Sequence, residues 1–146
     1  IQMSVTSVCG ISSEDVAPRC IVVGDPARAE KISMLLTDVS KVCSKREYHV
    51  YTGMYNDTKV TVASHGVGSS GANVIFYELI QCGVKVIIRA GTCGSFGPAP
   101  RGSHIIPTAS VRNDGASAQL VTLAYPGSAH YEVVGALVNT AKHYGS

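Results

Sequence analysis

Two turns in the sequence gather groups suited to holding a small oxyanion. "VVGDPAR" places Gly24 at the end of a short apolar run and Arg28 one turn into the helix-like segment that follows. Backbone N–H groups and a guanidinium can converge on an anion at such a point. "IIRAGTCGS" places Arg89 and the Thr92 hydroxyl at the end of another apolar run, where α/β sheets bind their ligands. Two arginines, a hydroxyl and a glycine turn suit a tetrahedral phosphate, because guanidinium forks donate paired hydrogen bonds to its oxygens. The competing reading is that each arginine pairs with a local carboxylate, Arg28 with Asp25 or Glu30 for instance.

A third turn, "HGVGSSGANV", carries Gly66, Gly68 and Gly71 in the spacing G-x-G-x-x-G. A dinucleotide site built on that spacing also needs an acidic residue about 20 positions on for the ribose hydroxyls. Here the next strand-like run ends in Arg89, and Glu78 falls inside the intervening helix-like segment. The favoured reading is a turn that lets backbone approach another ligand or a neighbouring chain.

The other polar residues are less specific. Cys9, Cys20, Cys43, Cys82 and Cys93 are odd in number and form no C-x-x-C pair, so reduced, mostly buried thiols in a cytosolic compartment are expected. Cys93 stands in a glycine-rich turn as a conceivable nucleophile. With no histidine near it in sequence, a small residue packed beside tight backbone is favoured. His65 either touches substrate or caps its turn, with the cap favoured, while His49, His104, His130 and His143 lack metal-ligand spacing. Glu47 either helps bind a cation or is a solvated or locally paired charge. Glu78 is expected in a buried pair, and Asp114 with Ser117 in an Asx-type turn.

These residues need a scaffold of alternating strands and helices. Cys20 to Val23 reads as a strand, Ala27 to Leu36 as a helix, and Tyr48 to Tyr51 with Lys59 to Ser64 as a hairpin. Gly71 to Gln81 reads as a helix capped by Gly83, and "VKVIIRAG" as a β-branched strand. The Pro- and Gly-rich "SFGPAPRG" is a loop, His104 to Ile106 and Ala109 to Arg112 read as further strands, and Tyr131 to His143 as a final helix. The order predicts an α/β fold with a central mixed, largely parallel sheet flanked by helices.

The 146 residues, 45% of them hydrophobic and 15% charged, suffice for one globular domain spanning 1–146. A net charge of +2 with no Lys/Arg run argues against a nucleic-acid surface. No apolar stretch reaches the roughly 18 to 20 residues of a membrane span, and no secretory leader is evident. A soluble intracellular protein is expected. The chain stops after a helix, where a doubly wound architecture continues with another strand, so further C-terminal sequence is expected.

"VVGDPARAEKI", "KREY", "SHGVGSSGANVIFYEL", "VIIRAGTCGS" and "TASVRNDGAS" resemble, in order and spacing, the nucleoside phosphorylase family of uridine phosphorylases and hexameric-type purine nucleoside phosphorylases. The resemblance runs from about Ile11 to the end of the chain and implies that family's three-layer α/β/α fold. It implies a phosphate site from Gly24, Arg28, Arg89 and Thr92, with Arg46 reaching the same phosphate from a neighbouring subunit and Glu47 able to join it at that interface. A homo-oligomer follows, with a dimer as the minimum active unit and a hexamer also open. Val67, Thr92, Cys93 and Gly94 would meet the nucleoside, and Arg89 and Arg28 would act in catalysis. Phosphate would attack the anomeric carbon as the base departs, as a co-substrate, with no metal or organic cofactor.

"ASVRNDGAS…YP" looks more like the uridine enzymes and "KVIIRAGTCGS" also like purine enzymes of protozoan parasites, so uridine is favoured and a purine nucleoside is the alternative. Three departures stand against the family pattern. Val8 occupies the place of a ribose-binding His, and Ser103 of "RGSH" replaces an acid. The family's base-recognition loop, its ribose-binding Met-Glu segment and the purine enzymes' catalytic Asp would lie beyond Ser146. These departures keep open a noncatalytic remnant that binds phosphate or nucleoside.

Overall fold

The computed structural model describes residues 5–144, which fall into two compact units, one ending at Thr92 and the other beginning at Cys93. The first unit runs β1 (Arg19–Val23), α1 (Pro26–Ser33), β2 (Thr37–Lys45), β3 (Tyr48–Tyr55), β4 (Thr58–Ser64), α2 (Ser69–Gln81) and β5 (Val86–Arg89). Its strands form one mixed sheet in the order β2-β3-β4-β1-β5. β1 pairs in parallel with β4 and with β5, whereas β3 is antiparallel to both β2 and β4.

Side chains alternate across a strand, so neighbouring residues feed opposite faces of the sheet. Cys20 and Val22 of β1, Val50 of β3 and Ala63 of β4 pack with Ile75 and Leu79 of α2. Val23, Tyr51 and Val62, one residue out of step, pack with Ala29 and Ile32 of α1. The two helices therefore cover opposite faces, which gives the three-layer α/β/α arrangement. Each fully buried Val or Leu contributes about 1.5–3 kcal/mol to holding the layers together.

Local chemistry sets the element ends. Asp25 caps α1 by accepting the Ala27 N–H at 2.9 Å, and Pro26 follows at the start of the helix. The helix stops at Ser33, three residues before the expected end, because Leu35 and Leu36 close into tighter i to i+3 turns leading to β2. α2 ends as expected: the Gly83 N–H donates to Ile80 and the Val84 N–H to Leu79, the paired bonds of a Schellman cap. Asn56 and Asp57, both at positive φ, make the two-residue turn of the β3–β4 hairpin. No pattern in the sequence marks β2. It is an exposed strand with two register shifts against β3, so it shows no apolar alternation.

The second unit holds a short 3₁₀ turn at Ser117–Gln119 and α3 (Tyr131–His143), the latter with the expected bounds. The strands expected at His104 to Ile106 and Ala109 to Arg112 do not form. Among the described residues only an isolated antiparallel bridge joins Ala109 to Ser128, so these extended residues have no ladder to enter. Arg112 instead organises its own loop. Its Nε donates to the Ser117 hydroxyl, one terminal nitrogen to the Thr122 and Tyr125 carbonyls, and the other to the Ser117 and Val121 carbonyls. Asp114 accepts the Ser117 N–H at 2.6 Å and its hydroxyl at 2.8 Å, the expected Asx-type turn. Among the described residues no helix is long and apolar enough to cross a membrane.

Candidate functional site

Three parallel strands, β4, β1 and β5, end side by side, and their hydrogen bonding continues past the strand ends. The His65 N–H donates to Val23, the Gly66 N–H to Gly24, and the Ala90 N–H to Val22, each at 2.9 Å. Gly24, the His65–Gly66 pair and Arg89 are thereby gathered along one edge of the sheet. The chain leaves β1 through α1 on one face and β4 through α2 on the other, so this edge is a switch point where such sheets open a crevice.

The glycine turn after β4 is shaped by internal contacts. Gly66 (φ +71°) and Gly68 (φ +87°) take left-handed conformations that favour glycine. The Glu47 side chain lies against Gly66 so closely that any Cβ there would overlap its Cβ and Cγ. The Tyr48 hydroxyl donates to the Gly71 carbonyl at 3.1 Å, fixing the start of α2 against β3. Between the two left-handed glycines, Val67 stands 98% exposed at the tip of the turn.

Arg89 ends β5, and its Nε donates to Nε2 of His65 at 2.9 Å. The guanidinium also lies over Gly91, where a Cβ would come within 2.7 Å of Nη1. His65 is only 6% exposed and its ring tilts against Phe76 at 6.1 Å. Burial pushes its pKa below the ordinary histidine value, and the Arg89 charge pushes the same way, so the imidazole is neutral. Because Nε2 accepts, the proton sits on Nδ1, which makes no regular hydrogen bond among the described residues, while the ring interacts with the Gly66 and His65 backbones. Of the two readings of His65, turn cap and substrate contact, the ring does interact with the backbone of its turn, and it also binds the strand-end arginine, which neither reading named. The signal was hidden, since it depends on β1 lying between β4 and β5.

The remaining candidates are placed individually. Arg28 is exposed in the first turn of α1, while the nearby Asp25 carboxylate accepts a backbone N–H. Arg46 is exposed in the β2–β3 turn at φ +54°, next to the Glu47 that packs on Gly66. Thr92 is exposed at the end of the first unit, and Cys93 and Gly94 are exposed at the start of the second. Cys93 is thus not packed against tight backbone, whereas Cys9, Cys20, Cys43 and Cys82 are buried as expected. Among the described residues no three His, Cys, Asp or Glu side chains cluster to hold a metal.

Glu78 departs from the expected buried charge pair. Its carboxylate accepts the Val8 N–H at 2.7 Å and the Cys9 N–H at 2.9 Å, anchoring the N-terminal segment to α2. Burial alone would raise its pKa, but these bonds, with further ones from the Cys9 and Thr6 side chains, bring it below the ordinary value. Val8, at the position where the family resemblance implies a histidine, is therefore held by its backbone.

The family profile described as the Phosphorylase superfamily matches residues 18–146. The chain is 40% identical over 134 residues to a purine nucleoside phosphorylase of Plasmodium falciparum, covering 90% of this chain and 55% of that protein. It is 40% identical over 130 residues to a uridine phosphorylase of Haemophilus influenzae, covering 88% and 52%. Its fold superposes on the purine nucleoside phosphorylase of Toxoplasma gondii, solved with immucillin-H, with a TM-score of 0.91 at 35% identity, covering 99% of this chain and 59% of that one. On the uridine phosphorylase of Vibrio fischeri the TM-score is 0.92 at 29% identity, with 97% and 60% covered. The chain spans about half the length of the curated relatives it matches. A profile match over most of the sequence, joined to the strand-end geometry, makes this chain a member of the phosphorylase superfamily, alongside the purine nucleoside and uridine phosphorylases.

Proposed function

We propose that the protein cleaves the N-glycosidic bond of a nucleoside with inorganic phosphate, releasing the free base and ribose 1-phosphate, with uridine as the favoured nucleoside. The observation that carries this reading is Arg89, which ends β5 and is tethered through Nε to His65, so that its terminal nitrogens are not used by that bond. In this reading Gly24, Arg28, Arg89 and Thr92 bind the phosphate, and Arg46 reaches it from a neighbouring protomer. Val67, Thr92, Cys93 and Gly94 meet the nucleoside. A phosphate oxygen forms the new bond to the anomeric carbon while the carbon–nitrogen bond breaks and its electron pair leaves with the base. The arginines hold the dianion against the positive charge developing on the sugar, so alignment and electrostatics supply much of the barrier reduction. Phosphate is a co-substrate, and the proposed steps use no metal or organic cofactor. We further propose a cytoplasmic homo-oligomer with a dimer as its minimum active unit.

A purine nucleoside is the second reading, since the chain is as similar to the Plasmodium falciparum purine nucleoside phosphorylase, at 40% identity, as to the Haemophilus influenzae uridine phosphorylase. Base release from uridine and from inosine, each with and without phosphate, tests both. Phosphate-dependent uracil release supports the first reading and hypoxanthine release the second, and Arg89→Ala should lower either by at least 100-fold, about 2.7 kcal/mol of barrier. Release that ignores phosphate concentration, or none from either nucleoside, would overturn the proposal.

A further inference from the structure

We infer that His65 is a positioning residue for Arg89, which it holds together with the bare backbone of Gly91 so that the guanidinium presents its two terminal nitrogens to the phosphate. This rests on the reading of Arg89 as a phosphate ligand. Four observations carry it. The guanidinium is planar, so fixing Nε fixes the direction of the whole fork, and the 2.9 Å bond to His65 occupies Nε alone. On its other side the group lies over Gly91, where any Cβ would approach Nη1 to 2.7 Å. The imidazole is itself immobilised: 6% exposed, it lies against Phe76, and its Cε1 edge faces Gly24, where a Cβ would meet it at 3.7 Å. Finally, Nδ1 is buried without a regular hydrogen bond among the described residues, while the ring interacts with the Gly66 and His65 backbones of its own turn, which holds it further in place. His65 touches Arg89 and acts on the anion only through it, an arrangement in which a neighbouring side chain locks the group that binds.

The neutral state of the ring is part of the device. Burial and the adjacent guanidinium both favour the uncharged imidazole, and only that form offers Nε2 as an acceptor. Glutamine can replace it, through its amide oxygen, whereas leucine fills the space without accepting.

The test compares His65→Leu, His65→Gln, Gly91→Ala and Arg89→Ala in the full-length protein, reading KM for inorganic phosphate, KM for the nucleoside, and phosphate affinity by calorimetry. His65→Leu should raise KM and Kd for phosphate at least 10-fold with KM for the nucleoside within 2-fold, and His65→Gln should recover phosphate KM to within 3-fold of the parent. Gly91→Ala, at an exposed position remote from the apolar clusters, should raise phosphate KM at least 5-fold, and it decides the matter if His65→Leu does not fold. Wild-type phosphate KM in His65→Leu or Gly91→Ala, with Arg89→Ala defective, overturns the positioning role and leaves the phosphate site standing. Unchanged phosphate dependence in Arg89→Ala removes the phosphate reading itself.

Discussion

Replacing Glu78 measures how strongly the N-terminal segment is tied to the sheet. Its buried carboxylate accepts two backbone N–H groups across about 70 residues of chain, from Val8 and Cys9. Hydrogen bonds to a charged acceptor contribute about 1.5–3 kcal/mol each, and a donor left buried without a partner costs about 1–3 kcal/mol. Cys9 is fully buried and Val8 half-buried, so Glu78→Ala should cost about 3–5 kcal/mol, a large share of a total stability of roughly 5–15 kcal/mol. Glu78→Gln keeps one acceptor and should cost about half as much. The sign of the pH effect follows from the carboxyl pKa, which is depressed in the folded protein. Such a group stabilises the fold above its unfolded pKa, and that contribution is lost as pH falls through the folded value. Urea unfolding followed by circular dichroism at pH 7 and at pH 3 gives both quantities. The parent should lose stability on acidification more steeply than Glu78→Gln. A loss below 1 kcal/mol for Glu78→Ala at pH 7, or identical acid slopes, would refute the reasoning.

Thr61 accepts the Ala17 N–H at 2.8 Å and shares a 2.9 Å hydrogen bond with Thr52, whose own hydroxyl donates to Asp15. Thr61→Val should therefore cost about 2–3 kcal/mol and Thr61→Ser less than half of that, and a change below 0.5 kcal/mol in the valine variant would contradict the network. Among the five thiols only Cys93 is exposed, and burial pushes Cys20 up to about 12, so a thiol reagent at neutral pH should modify Cys93 rapidly and the other four only on unfolding. Rapid native-state labelling of a second cysteine would contradict the burial of that group.

What the sequence made legible was what depends on short stretches of chain. α3 and the end of α2 follow from periodicity and from the glycine that takes the left-handed cap, and the run from Val86 to Arg89 from its β-branched residues. Gly24 and Arg89 were readable as strand-end residues because an apolar run stops at each. β2 was invisible because an exposed edge strand with two bulges needs no apolar alternation. The segments around Ile105 and Val111 have strand-like residues, but strand formation is decided by a partner, and among the described residues one isolated bridge, Ala109 to Ser128, is all they find. The roles of His65 and Glu78 depend on tertiary neighbours 24 and about 70 residues away, which no local pattern encodes.

The loop around Arg112 shows what it means to build order from one side chain. With little regular secondary structure, residues 113–125 converge four carbonyl bonds and one hydroxyl bond on a single guanidinium. Their positions are therefore not independent: releasing one carbonyl strands the group that orients the others. The segment should open as one step, behaving like a knot that is either tied or loose. A lysine there would offer three donors on a rotating point charge and could not reproduce a fixed five-way fan. The geometry of the whole loop is in this sense encoded at one position.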